Sequence, residues 1–143
     1  MEDRVVLPEI STDGFNPRFL EFIRLFIPID THEKLFPKEC RTCGRTFSSL
    51  SEYLLRTVGK GHTLDDAEEV MGTPFTMTYR HCSCGNTLVL TFTAETYPLL
   101  GELWAMLTKE AERAGKPLTV VTTDFVGQWE RYATAYFDTL GGR

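Results

Sequence analysis

Four cysteines in two tight pairs constrain this chain more than any other feature. The first pair reads Cys40-Arg-Thr-Cys43-Gly44 and the second reads Cys82-Ser-Cys84-Gly85, with 38 residues between the pairs. Two intervening residues let the first two sulfurs turn toward one point, and the following glycine can adopt the positive φ that directs backbone N–H groups toward thiolates. In an extended segment, Cys82 and Cys84 would point to the same face. We therefore predict that the four sulfurs form one tetrahedral site.

The predicted metal ligands are Cys40, Cys43, Cys82 and Cys84, and the predicted ion is a structural Zn²⁺. Iron or an iron–sulfur cluster is the alternative, because thiolates also bind those centres. Two disulfides or unliganded thiols stay open as well, although a disulfide between Cys82 and Cys84 would close a strained ring. His81 is interpreted as a residue outside the ligand set, and a ligand role together with Cys84 is its alternative.

The two pairs resemble those of zinc-ribbon and treble-clef modules, in which a CxxCG knuckle and a second cysteine pair share one metal. The resemblance covers residues 38–47 and 79–93, and the second pair here is CxC where the ribbon has CxxC. The string RHCSCGNTLVL also resembles an element of poorly characterised bacterial sensory proteins, which implies a bacterial regulatory or accessory role. CxC with CxxC is similar to the redox switch of an oxidation-activated bacterial chaperone, which implies an oxidation-labile zinc as an alternative.

Charge is unevenly distributed along the chain. The formal net charge is −5, but residues 34–60 carry six basic residues against two acidic ones. Arg41, Arg45 and Arg80 flank the cysteines, and we predict that they compensate thiolate charge or face an anion. An acidic chain repels phosphate, so nucleic-acid binding is disfavoured, although the basic segment keeps it open.

Length and composition predict one domain over residues 1–143. The chain has 42% hydrophobic residues, which is enough for a core. We expect an N-terminal helix and metal-binding part over about 1–94, followed by a helical hairpin over about 95–140. No apolar stretch approaches the ~20 residues of a membrane span, and the N-terminus lacks the pattern of a secretory signal. We therefore expect a cytoplasmic protein that does not bind membranes.

Local patterns predict an α+β fold that is mostly helical. Residues 1–15 are predicted as an extended or turn-rich arm and 28–39 as a loop. Residues 59–73 are predicted as a surface loop, with a helical turn over Asp65–Met71 as the alternative for that part. The predicted helices cover 17–27, 49–58 and 96–114, with caps at Asn16, Ser49 and Thr96. Residues 75–81 and 87–93 form a predicted hairpin. A last helix is predicted from 118 and is clearest over 124–139, since strand remains open for 118–123.

The sequence favours a non-enzymatic role, with no catalytic residues assigned. The chain contains no zinc-protease, P-loop or nucleophile-elbow motif. We predict a zinc-binding regulatory or accessory module whose partner is another protein. A redox or oxygen-responsive protein with an iron, iron–sulfur or oxidation-labile zinc centre is the alternative. The sequence leaves the oligomeric state open.

Overall fold

The computed structural model describes residues 10–59 and 64–140. The helices are α1 (Pro17–Ile23), α2 (Leu50–Arg56), α3 (Glu68–Met71), α4 (Leu100–Ala114) and α5 (Leu118–Thr139), and a short 3₁₀ helix, Arg24–Phe26, continues α1. The strands are β1 (Lys38–Glu39), β2 (Thr46–Phe47), β3 (Leu64–Asp66), β4 (Phe75–His81) and β5 (Thr87–Thr93). This mixture of helices and strands confirms the α+β prediction.

The strands form two antiparallel sheets. β1 pairs with β2 and positions the first cysteine pair, whereas β3, β4 and β5 follow one another in the second sheet. The bounds of β4 and β5 agree with the predicted hairpin. Their buried side chains alternate with more exposed ones, as expected for a sheet that covers a core on one face.

The C-terminal part, from Leu100 to Thr139, is a helical hairpin, as predicted. Gly115, with a φ of 67°, ends α4 in the left-handed region, and α4 contacts α5. Residues 118–123 are helical, although three threonines and two valines give this segment strand propensity. The hydroxyls of Thr122 and Thr123 donate to carbonyls one turn earlier, which accommodates these threonines in a helix.

α5 is central to the packing. It contacts α1, α2 and α4. The Trp129 ring stacks on Phe26 at a centroid distance of 4.2 Å, and Phe26 meets Phe92 of β5 edge-on. One hydrophobic cluster therefore connects the N-terminal helix, the larger sheet and α5.

The prediction of a surface loop over 59–73 is wrong for the part of it that the structure describes. Leu64 is 3% exposed and starts β3, which pairs with β4. The short helix α3, which lies within the predicted alternative of a helical turn over 65–71, follows and ends at Met71. The segment is polar overall, but backbone pairing with β4 orders it, and such pairing is invisible in local composition. Residues 60–63 lie outside the described part.

Several predicted boundaries also shift. The regular part of the first helix ends at Ile23, and the loop over 28–39 ends in β1. The second helix ends at Arg56, because Thr57 is extended and Val58 pairs with His81. Thr96 does not cap α4, since its hydroxyl closes a turn with Thr93. Of the predicted arm, residues 1–9 lie outside the described part, and residues 10–15 contain a turn.

Candidate metal centre

The first cysteine pair lies in the tight turn between β1 and β2. The Cys40 N–H donates to the Arg45 carbonyl at 2.8 Å, and the Gly44 N–H donates back to the Cys40 carbonyl at 2.8 Å. Gly44 has a φ of 80°, which side-chain-bearing residues rarely adopt. The turn brings Cys43 back beside Cys40, as the spacing predicts.

The second pair lies in a similar turn at the tip of the β4–β5 hairpin. The Cys82 N–H donates to the Asn86 carbonyl at 2.9 Å, and the Gly85 N–H donates to the Cys82 carbonyl at 2.8 Å. Gly85 has a φ of 95°. The expectation of an extended Cys82–Cys84 segment is wrong, because β4 ends at His81. The sulfurs converge because the chain turns, and two backbone hydrogen bonds close this turn as they close the first, with one residue fewer enclosed.

The two turns face each other and bring all four sulfurs together. The four Sγ atoms lie within 4.8 Å of one another, and none is in a disulfide. Cys40 Sγ is 3.7 Å from Cys84 Sγ, and Cys43 Sγ is 3.5 Å from Cys82 Sγ. A tetrahedron with metal–sulfur bonds of ~2.3 Å has sulfur–sulfur edges of ~3.8 Å. The cluster thus has the size of a single-ion thiolate site.

Backbone N–H groups stabilise negative charge on the sulfurs of Cys40 and Cys82. The Cys43 N–H, helped by the Thr42 N–H and the Asn86 amide, lowers the pKa of Cys40 to about 6 against the opposing effect of burial. The Cys84 N–H likewise lowers the pKa of Cys82. Hydrogen bonds to the charged form of a thiol favour its ionisation. Each turn therefore favours a thiolate at its first cysteine.

Cys84 shows what limits further ionisation. The Asn86 N–H lowers the pKa of Cys84, but burial and the three neighbouring cysteines outweigh it and raise this pKa to about 11. A thiol that donates a hydrogen bond to a neighbouring thiolate keeps its proton, so each ionised sulfur makes the next ionisation harder. A bound cation removes this conflict, because it attracts every thiolate at once.

The four cysteines differ in their access to solvent. Cys40 and Cys82 are buried, at 0% and 3% exposure, whereas Cys43 and Cys84 are exposed. The site therefore has an inner side against the core and an outer side that small solutes can reach.

His81 lies apart from the four sulfurs. Its backbone pairs with Val58, and its ring Nδ1 is 3.3 Å from the Thr87 hydroxyl. Within residues 10–59 and 64–140, the group of metal-ligating side chains consists of the four cysteines without His81. This placement favours the interpretation of His81 as a residue outside the ligand set.

The three arginines singled out by the sequence have different environments. Arg41 and Arg45 are exposed on the first turn, where they can face an anion. The prediction is wrong for Arg80, which is 2% exposed. Its guanidinium donates to the Thr57 hydroxyl and carbonyl and pairs with Glu130 of α5 at 2.7 Å. Arg80 lies on the inward face of β4, where it is buried. Its guanidinium links the larger sheet to α2 and α5.

Sequence reasoning missed Asn86. Its side-chain amide donates to Cys40 Sγ at 3.6 Å, so the second turn supplies a hydrogen bond to a sulfur of the first. The available signal was its position directly after Cys84-Gly85, where it closes the turn.

No protein-family model matches this chain, and comparisons with curated proteins and with solved structures find no significant match. The geometry of the four sulfurs is therefore the basis for assigning the site. Among the described residues, none of the helices combines the length and the apolar character that crossing a membrane requires.

Proposed function

We propose that Cys40, Cys43, Cys82 and Cys84 bind one structural Zn²⁺ ion. The observation that supports this most directly is the approach of four free cysteine sulfurs to within 4.8 Å of one another. Zinc accepts four thiolates in a tetrahedron without a preference for another geometry. Its double positive charge would also favour the thiolate form of Cys84, whose pKa is raised by burial and by hydrogen bonds with the neighbouring cysteines.

The spacing favours one ion over an iron–sulfur cluster. In a cluster the cysteines bind different iron atoms and are held farther apart than the ligands of one ion. The sulfur contacts of 3.5 and 3.7 Å are close to the ~3.8 Å edge of a single-ion site. A single iron would fit the same tetrahedron, so it remains the competing ion.

The donor set supports a structural rather than a catalytic metal. Four protein ligands fill a tetrahedron, whereas catalytic zinc keeps one position open for water or substrate. The ion would join the β1–β2 turn to the tip of the β4–β5 hairpin, which come from distant parts of the sequence. We infer a regulatory or accessory module that binds another protein on a surface held in shape by the metal.

Metal analysis of the purified chain tests the proposal. Protein prepared under reducing conditions should be colourless and contain about one zinc per chain, with Co²⁺ substitution giving the absorption of a tetrahedral thiolate site. Ser83→Ala is the matched control for serine variants of Cys82 and Cys84, because Ser83 lies in the same turn and is exposed. This variant should keep its zinc. A red or brown protein containing iron would refute the zinc assignment. A metal-free protein with native structure would refute the site.

Exposure of Cys43 and Cys84 favours a second candidate function, an oxidation-sensitive zinc switch. A peroxide would take two electrons from two cysteine thiolates, which form a disulfide and release the zinc, while the peroxide and two protons become two water molecules. Treatment with hydrogen peroxide in the presence of a zinc-sensitive dye tests this function. Release of zinc that is reversed by a thiol reductant supports a switch, and retention of zinc excludes it.

A further inference from the structure

The two edges of the larger sheet differ in how well they are protected. β3 is three residues long and carries Asp65 and Asp66. β5 runs for seven residues, TLVLTFT, without a charge or a proline. Short and charged edge strands discourage pairing with another chain, whereas long uncharged strands invite it. β5 lacks the protection that β3 has.

Hydrogen bonds along β4 define the direction of its backbone groups. The N–H and C=O of His81 both bond Val58, and the C=O of Phe75 accepts from Ala67. Both contacts lie on the side of β4 that faces β3. Successive residues of a strand bond opposite neighbours, so the even-numbered residues of β4 bond β5.

The same alternation identifies the free backbone groups of β5. Arg80 lies opposite Leu88 and Thr78 lies opposite Leu90, so the even-numbered residues of β5 bond β4. Thr87, Val89 and Thr91 direct their N–H and C=O groups to the open edge. Within the part of the chain that the structure describes, these groups have no hydrogen-bond partner. The Val89 side chain is 42% exposed.

The open edge ends at Thr93. The Thr93 N–H donates to the Thr96 hydroxyl, and its C=O accepts from the N–H groups of Thr96 and Tyr97. The turn after β5 thus satisfies the last outward-facing residue and leaves three in a row available. Such a row can be satisfied by an extended backbone placed alongside it.

The sequence of the open edge is complementary to itself. Residues 87–91 read Thr-Leu-Val-Leu-Thr, which is the same in both directions. We propose that β5 pairs antiparallel with β5 of a second copy of this chain, about a two-fold axis at Val89. Val89 then lies opposite Val89 of the second copy, and Thr87 lies opposite Thr91 of the second copy. Each outward N–H meets an outward C=O.

The side chains also suit this symmetric pairing. Opposed threonines and opposed β-branched residues are favourable cross-strand pairs, and the absence of charge means that no like charges meet. The turn that holds Cys82 and Cys84 leads directly into β5, so a metal at that turn would fix the start of the pairing strand. The inference gives the proposed interaction role a partner, and to that extent it rests on the proposed function.

Val89→Pro tests the dimer. The Val89 N–H has no partner within one chain, so proline removes no hydrogen bond from the monomer. At the two-fold axis, however, proline removes a donor and sets its ring against the opposing strand. Val89→Thr is the matched control, because it keeps the N–H and the β-branched shape. Light scattering and sedimentation should give a two-chain mass for the parent and the control, and a one-chain mass for Val89→Pro at every concentration.

Amide hydrogen exchange on the parent gives a test that does not depend on how the proline variant folds. In the dimer the amides of Thr87, Val89 and Thr91 should become protected as concentration rises, whereas those of Leu88 and Leu90 are protected throughout. A parent that stays monomeric overturns the inference. So does a dimer in which the odd-numbered amides exchange freely, or protection of those amides in the monomer. Zinc content, measured on the same samples, reports separately on the proposed metal site.

Discussion

Each cysteine of the cluster has its own environment. Cys40 is fully buried and is bonded by backbone N–H groups and by Asn86, whereas Cys84 is exposed and its pKa is raised to about 11. In a four-thiolate site these differences affect how fast each sulfur exchanges or oxidises. They do not change the number of ligands that the ion needs.

Replacing any one of the four cysteines by serine should therefore weaken metal retention severely. Serine is a hard, weakly acidic donor and does not replace a thiolate on zinc. His81→Ala should cost much less, with a loss of roughly 10–100-fold in affinity as the upper bound for a residue outside the ligand set. Competition with a zinc-binding dye measures the affinities. If Cys82→Ser keeps the metal while His81→Ala loses it, the ligands are Cys40, Cys43, His81 and Cys84.

Asp30 is a buried residue in the turn that follows the 3₁₀ helix, and its carboxyl contacts the first turn of α2. It accepts hydrogen bonds from the Ser51 N–H at 2.8 Å and from the Ser51 hydroxyl at 3.2 Å. Burial raises its pKa above 3.8, and the bonds from Ser51 only partly offset this. The folded protein therefore holds a proton at Asp30 to higher pH than the unfolded chain does.

This pKa shift predicts a pH dependence that Asp30→Asn should remove. Because the folded-state pKa is raised, Asp30 makes the protein less stable as pH rises from 3.8 through that pKa. Asparagine keeps an acceptor for the Ser51 N–H and carries no charge. Urea unfolding should show Asp30→Asn at least as stable as the parent at neutral pH, with its relative advantage shrinking as pH falls toward 3.8. A parent that gains stability relative to the variant as pH rises would contradict this.

At the scale of elements, α5 contains an interior glycine that no contact requires. Gly127 is exposed, and a Cβ there would have nothing within 4 Å. Alanine should therefore stabilise the protein by about 0.5–1 kcal/mol through helix propensity. Gly115 is the matched control. Its Cβ would also meet nothing, but its φ of 67° is left-handed, so alanine there should destabilise by about 1–2 kcal/mol.

Thermal or urea unfolding of the two glycine variants measures both effects. Stabilisation at both positions would show that Gly115 relaxes out of the left-handed region. Destabilisation at both would show that α5 needs the flexibility or the small size of Gly127.

Elements that depend on local pattern could be predicted from the sequence. β4 and β5 have the bounds expected from alternation, and the helical course of 124–139 follows from apolar spacing, whereas the pattern left strand open for 118–123. β3 could not be predicted, because its ordering depends on pairing with β4 and on burial of Leu64. Local composition contains neither contact.

The candidate site also has features that could be predicted from local sequence and features that depend on distant contacts. The four cysteines were identifiable because two close cysteine pairs are typical of metal ligands, and all four sulfurs do come together. The turn at Cys40 and Cys43 was predicted, whereas the turn at Cys82 and Cys84 was not. Arg80 was misassigned because its sequence neighbours are cysteines, whereas its spatial neighbours are Thr57 and Glu130. Asn86 was missed because its bond to Cys40 crosses between turns. The roles of Arg80 and Asn86 both depend on partners that are distant in sequence.

At the scale of the whole molecule, the proposed ion joins two sheets that share no strand. Removing it with a strong chelator should therefore lower the melting temperature sharply and loosen residues 38–93, because in such sites metal affinity is folding free energy. Differential scanning calorimetry with and without chelator measures this effect. Cys40→Ser is the control, since its melting temperature should already be low and should not respond. An unchanged melting temperature for the parent would contradict a structural role.

By binding both Cys40 and Cys84, the proposed ion would also close a loop in the chain. These residues are 44 positions apart, and the loop encloses β2, α2, β3, α3 and β4. A permanent covalent link of this span would reduce the entropy of the unfolded chain by an amount worth on the order of 4 kcal/mol. If the thiolates capture zinc before the chain is folded, α2 and β4 search for each other within a closed ring. Refolding should then be faster with zinc than without it, because distant contacts have become effectively local.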